Sequence, residues 1–194
     1  MDTFNLVLKE RTAQLHRAVE STGISMSILS PALNQDMYAN YLERILGIHS
    51  AVETTVFPVL QNLIPDLDQR RKTPAIRNDL KHLERADEYA GDAMLDAGYK
   101  NATDFNLGIV YVSEGSILGG QFILKHVKQV LGNDAPVEFL NVYGAQTGPL
   151  WKQFLECLNT YASAASDAQK QQIIAGAEYG FRRVEHLFSA GKPA

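Results

Sequence analysis

Cysteine is almost missing from this sequence: Cys157 is the only one in 194 residues. One thiol excludes an internal disulfide framework, cysteine-rich zinc sites and a prosthetic group attached through Cys-x-x-Cys-His. An excess of positive charge is also lacking. Lys and Arg number 18 against 22 Asp and Glu, a net charge of −4, whereas a nucleic-acid binder shows a basic face or stripe. No apolar run approaches the roughly 20 residues of a membrane span. The first twenty residues mix acidic and basic groups throughout, unlike a signal peptide. A phosphate loop, a Gly-x-Ser-x-Gly elbow and a Cys/His nucleophile arrangement are missing. So is the Glu-x-x-His pair of a di-iron bundle, of which Asp79-x-x-His82 is only an approximation. These absences predict a soluble, cytoplasmic, reduced protein, with 45% hydrophobic residues to fill a core.

What is present is helical. Asp2 and Thr3 are suited to cap a helix whose apolar positions are Phe4, Val7, Leu8, Thr12, Leu15 and Val19, a three-four spacing. It stops near Ser21-Thr22-Gly23, and a loop with Ser30-Pro31 follows. Asn34 opens a second helix, which Pro58 should kink. Thr73-Pro74 starts a third, with Thr as N-cap, running to about Ala97 before Gly98. Thr103 should cap a fourth, which runs to Leu131 and stops at Gly132-Asn133. A short helix is expected over Pro136 to Tyr143, and a sixth after Gly148-Pro149. Ser166-x-x-Gln169 is a capping box for the last, which continues to about Ala190. Strand-like alternation, repeats and linkers are missing, so residues 1–194 read as one all-α domain.

The fourth helix breaks its own rules. Gly108, Gly115, Gly119 and Gly120 lie inside it, each costing about 1 kcal/mol relative to alanine. Gly108, Gly115 and Gly119 share a narrow strip of the helical wheel, with Ser116 and Gly120 to its sides. Two readings stand: a close helix–helix crossing, or a large flat ligand lying against bare backbone, over which a glycine-rich helix can bend. Of the five histidines, His82 and His186 read as surface residues. His126 lies seven residues beyond Gly119, about 10 Å along the axis. His16 sits beside the apolar stripe of the first helix, with Lys9 two turns earlier on the same side. It is either a boundary residue or an axial ligand for a haem iron, Lys9 then reaching an acidic edge of the same ligand.

Three segments carry a resemblance. Leu8-Lys9-Glu10-Arg11-Thr12-Ala13-Gln14-Leu15-His16-Arg17 resembles the first helix of haem oxygenases, whose histidine is the proximal iron ligand. Tyr111-Val112-Ser113-Glu114-Gly115-Ser116-Ile117-Leu118-Gly119-Gly120-Gln121 is similar to their distal helix in its bacterial Gly-Ser form. Gly180-Phe181-Arg182-Arg183-Val184-Glu185-His186-Leu187-Phe188 is similar to the last helix, where two phenylalanines line the pocket. The three matches cover about a quarter of the chain, in the family's order.

The resemblance implies a multi-helical bundle with haem between the first helix and the glycine helix, haem being both substrate and cofactor and O2 the co-substrate. His16 would bind iron as a neutral imidazole without a strong carboxylate partner. Gly115, Gly119 and Gly120 would let backbone approach the ligand, Ser116 would hold ordered water, and His49 would help the proton supply. Lys9 and Tyr111, and more loosely Lys152, would hold the propionates, while Phe181 and Phe188 packed against the macrocycle. Animal members carry a distal aspartate where this chain has Ser116, which moves the proton relay onto water. The implied reaction is cleavage of haem at a meso carbon to biliverdin, CO and iron. Electrons would come from an external ferredoxin or reductase, and a bilin-binding photoreceptor is a possible recipient of product. No nucleic-acid or membrane partner is expected. The alternatives are a non-catalytic haem carrier or sensor of the same fold, and the related fold of thiamin-degrading hydrolases, for which Cys157 would be the only nucleophile.

Overall fold

The computed structural model describes residues 3–86 and 102–189, all helix, turn and loop. The first helix, α1 (Phe4–Glu20), has Thr3 at its N-cap position in extended conformation, but no side-chain cap bond. It buries Leu8 and Thr12; the Thr12 hydroxyl is satisfied by donating to the Leu8 carbonyl at 2.7 Å. Where a loop is expected, a six-residue helix α2 (Gly23–Ile28) forms, capped by Thr22 and burying Ile24 and Ile28. Its glycine start and two apolar residues give too short a pattern to read in advance.

Asn34 caps α3 (Gln35–Ala51), its Oδ1 accepting from the Met37 amide at 2.9 Å. The second half of α3 is almost wholly buried, His49 included. The bend that Pro58 demands is made by a π-helical turn, Val52–Val56, ahead of the one-turn α4 (Phe57–Leu60). Proline removes a backbone donor and crowds the carbonyl one turn back, and a wider turn relieves this by shifting the register. Thr54 and Thr55 donate back to Ser50 and Ala51 carbonyls.

Helix α5 (Thr73–His82) departs from expectation at both ends. Lys72, not Thr73, occupies the N-cap position, and the helix stops at His82 rather than near Ala97. The Arg85 amide donates to the Leu80 carbonyl at 3.0 Å and the Glu84 amide to Lys81 at 3.1 Å, the paired bonds of a Schellman termination. Glu84 takes the left-handed position at φ 54° that glycine usually fills, which is why no stop signal is visible there. The expected continuation through Ala97 to Gly98 lies outside the described residues.

Helix α6 (Thr103–Leu131) takes Thr103 as its first helical residue rather than its cap: Ala102 holds the N-cap position in extended conformation, where it has no polar side chain to bond an amide. The helix ends at Gly132, with φ 98°. It is long and apolar enough to cross a membrane by length and composition, contrary to expectation, but half of that apolar stretch is buried inside the protein. In place of a helix over Pro136 to Tyr143 there are short 3-10 turns, Phe139–Asn141 and Gly144–Gln146. The Asp79 carboxylate caps the first, accepting from the Glu138 and Phe139 amides at 2.9 Å each. Helix α7 (Thr147–Ala164) begins just before Gly148-Pro149. Helix α8 (Asp167–Ser189) opens on the expected capping box, Ser166 and Gln169 each accepting from the other's backbone amide.

Two apolar clusters make the core. One gathers α2, α3, α5, the distal half of α6 and the end of α8. The other gathers α1, α4, the first half of α6, α7 and the start of α8. Helix α6 runs through both, and α8 packs against α6 and α1 alike.

Candidate haem site

Two surfaces converge on the second half of α8. From α1 comes His16, whose ring meets Phe181 edge-on at 5.6 Å between centroids. From α6 comes Val112, which packs so closely against Gly180 that a Cβ there would lie 3.1 Å from its methyl. His16 is 59% exposed, more than a core-boundary residue, so its imidazole is accessible to a ligand. Glu20, one turn on, places Oε1 3.5 Å from His16 Nδ1. At that distance, and with both side chains exposed, it is a weak donor of charge to the ring. Lys9 is exposed on the same helix.

The glycine strip divides between its two readings. Gly108 is buried in the crossing with α8: a Cβ there would strike the Ile173 carbonyl and the Ala177 amide, and one at Gly176 would strike the Phe105 carbonyl. That is helix–helix packing. Gly115 faces the Trp151 ring, with 3.5 Å between its Cβ position and the ring edge. Gly119 is exposed, with no atom within 4 Å of a Cβ position. Gly120 is buried, 3.8 Å from Leu140. Exposed Leu118 and Phe122, 68% accessible in the latter case, flank the Gly119 opening. The Ser116 hydroxyl donates to the Ser113 carbonyl at 2.8 Å, which leaves its oxygen free to accept from water.

Other expected residues are scattered. Tyr111 is half-buried against Trp151, 5.7 Å away, and burial raises its phenol pKa. Lys152 is 80% exposed and paired with Glu156 at 3.7 Å. Phe188 is a core residue against Tyr41, not a partner of Phe181 at His16. Cys157 donates to the Leu63 carbonyl at 3.2 Å, and burial pushes its thiol pKa up, the opposite of an activated nucleophile.

His49 is fully buried. Its Nδ1 lies 3.2 Å from Ser113 Oγ and its ring tilts against Phe139. Nε2 has no hydrogen-bond partner. Burial, and then the nearby Lys72 ammonium, hold its pKa well below the ordinary value of 6.5, so the ring is neutral.

Beside it lies a group of buried charges that the sequence pattern does not announce. Glu114, 3% exposed, accepts from Arg70 Nη1 at 2.6 Å, from Lys72 Nζ, and from the Tyr143 hydroxyl at 3.1 Å. Arg70 also binds Asp66 at 2.7 Å. Burial alone would lower the Arg70 pKa; hydrogen bonds and charge from Asp66 and Glu114 raise it instead. Glu53, brought inward by the π turn, accepts from the Lys72 and Thr73 amides at 2.6 and 2.9 Å. The available signal was Glu114 itself, the only charged residue between Asp104 and Lys125. The residues that meet it are 29, 42 and 44 positions away, beyond any local pattern.

An accessible imidazole and bare helical backbone with apolar neighbours are a donor set that suits haem. Comparison with known proteins points the same way. Curated protein sequences yield no match, but solved structures do. The NO- and CO-bound haem oxygenase of Neisseria meningitidis is 26% identical, with a TM-score of 0.80 over 100% of this chain and 96% of that one. The haem oxygenase of Leptospira interrogans, 20% identical, shares the fold at 0.75 over 97% and 99%. Haem oxygenase-1 of Synechocystis, in complex with haem, does so at 17% identity and 0.69 over 96% and 91%. The sequence model of the heme oxygenase family matches residues 2–190, and the chain belongs to that family.

Proposed function

We propose that the protein is a haem oxygenase that cleaves haem at a meso carbon to biliverdin, CO and iron, with O2 as co-substrate. The observation that carries this is the exposed His16 imidazole, set against Phe181; the first-helix resemblance makes it the iron ligand. When bound, haem supplies both the oxygen-activating iron and the carbon that is oxidised.

The chain's own residues do the rest. His16 would hold the iron through a neutral ring, with the solvated Glu20 carboxylate 3.5 Å from its Nδ1. At Gly119 the backbone is open among the described residues, so α6 would present bare backbone to the ligand, with Leu118 and Phe122 as its apolar neighbours. Ser116, with its proton committed to the Ser113 carbonyl, accepts from water and orients it. His49, held neutral by burial and then by Lys72, forms a polar pair with Ser113, and it would help the proton supply as the resemblance implies. Lys9, Tyr111 and Lys152 are the propionate partners. Reducing equivalents come from a separate ferredoxin or reductase, and the bilin released is suited to a bilin-binding photoreceptor. The protein acts in the cytoplasm.

The test is the purified protein reconstituted with haemin and supplied with ascorbate or a ferredoxin system. Loss of the Soret band with appearance of biliverdin supports the proposal; a Soret band that persists under reductant and air makes the protein a carrier or sensor. His16→Ala should abolish the histidine-ligated ferric spectrum, with added imidazole restoring it. An unchanged spectrum would place the ligand elsewhere.

A further inference from the structure

Helix α6 has a mechanical problem at the site. Its interior glycines weaken it by about 1 kcal/mol each, and the stretch that must face the ligand has an open side. The Gly108–Gly176 crossing anchors one end. At the other, Gln121 donates to the Leu140 carbonyl at 3.0 Å and His126 bonds the Ser30 carbonyl at 2.9 Å. Between these anchors, Glu114 is the side chain that reaches off the helix to charged partners. It stands between Ser113, which meets His49, and Gly115, where the bare face begins.

Three donors fix the carboxylate from two directions: Arg70 and Lys72 from the segment before α5, and Tyr143 from the turn before α7. The donors are themselves fixed. Arg70 is held by Asp66 and the Leu150 carbonyl, and Lys72 Nζ donates to the Arg70 carbonyl. Lys72 also lies over the Tyr143 ring at 5.3 Å. Arg70 and Lys72 are fully buried, and in so dry a setting a carboxylate that left its partners would strand the Lys72 ammonium, Arg70 alone keeping a carboxylate in Asp66. Rotating α6 by one residue would do that, and would carry Ser113 off His49 and Gly119 away from the opening.

We propose that Glu114, clamped by Arg70, Lys72 and Tyr143, is a positioning residue that sets the rotation of α6, aiming Ser113 at His49 and the bare Gly115–Gly119 backbone at haem. The part concerning haem rests on the function proposed above. The part concerning His49 does not, and it is measurable in the haem-free protein.

The experiment compares wild type with Glu114→Gln, which keeps shape and loses charge. In the haem-free protein, 15N NMR of the His49 imidazole reads the Ser113 contact. With haemin, affinity and turnover are measured separately. Glu114→Gln should lose the hydrogen-bonded Nδ1 signature of His49 while keeping its helical circular dichroism. Its haem affinity should stay at the wild-type level while turnover falls about 10- to 100-fold, as expected for a small misplacement at a reacting centre. If Glu114→Gln fails to fold, the Glu114→Gln/Lys72→Met double variant removes the stranded cation, since Arg70 retains Asp66, and takes its place. A folded variant with an unchanged His49 signal overturns the proposal, as does an altered His49 signal with turnover intact. Wild type that binds no haem overturns the function and the haem part of the clamp, while the His49 signal still decides the rotation.

Discussion

At His49 a buried imidazole lies within the field of an ammonium, and stability is tied to pH through it. The folded ring is held neutral by burial and then by Lys72, so its pKa lies well below 6.5. The unfolded chain protonates it near 6.5. The stability this residue contributes is therefore fully present above about 6.5 and is lost as pH falls from there toward the folded value. The expected slope is up to about 1.4 kcal/mol per pH unit from this one proton. Urea unfolding of the haem-free protein at pH 7.5 and 5.5 measures it, and His49→Phe should flatten that part of the profile. Equal acid sensitivity in the variant would place the cause elsewhere. None of this was readable from the sequence. His49 sits one helical turn from neighbours that look equally apolar, and its polar partners, Ser113 and Lys72, arrive from other elements.

Among the elements, α6 shows how one residue type serves two purposes. At Gly108 the missing side chain lets α8 in, and at Gly119 it leaves a surface open. Alanine should therefore act oppositely at the two positions. Gly108→Ala forces a methyl into the α8 backbone, which cannot yield cheaply, and should destabilise by about 1–3 kcal/mol or more. Gly119→Ala should stabilise the haem-free protein by about 0.5–1 kcal/mol through helix propensity. Urea midpoints of the two variants check this, and equal effects would refute the division. Gly119→Leu should keep the fold and weaken haem binding, read by haemin titration. The strip itself was legible because glycine spacing is periodic; which glycine does what was not, because that depends on what lies opposite. The early stop of α5 was hidden for a related reason, since Glu84 adopts a conformation that its residue type seldom signals.

For the molecule as a whole, the proposed site lies where α1, α6 and α8 meet, so ligand and fold should stabilise each other. Haemin at about 100 times its Kd should add about 2.7 kcal/mol, roughly 5–10 °C in Tm for a chain of this size. Trp151, the only tryptophan, lies against Gly115, and its fluorescence should be quenched in step with haemin binding. A Tm unmoved by haemin, or fluorescence blind to it, would place the ligand away from α6.

What the sequence by itself determined is whatever repeats locally: the helical class, the caps at Asn34 and Ser166, the stops near Ser21 and at Gly132, and the three family segments with His16 and the glycines. Each depends on residues within a few positions of one another, where periodicity and capping chemistry act. What only the tertiary structure decided is the division of the glycine strip, the place of Phe188 in the core, and the clamp on Glu114. Those depend on which distant groups meet in a dry interior. There an unpaired charge is costly, and the cost falls on contacts between residues 53, 70, 72, 114 and 143 that no local spacing encodes.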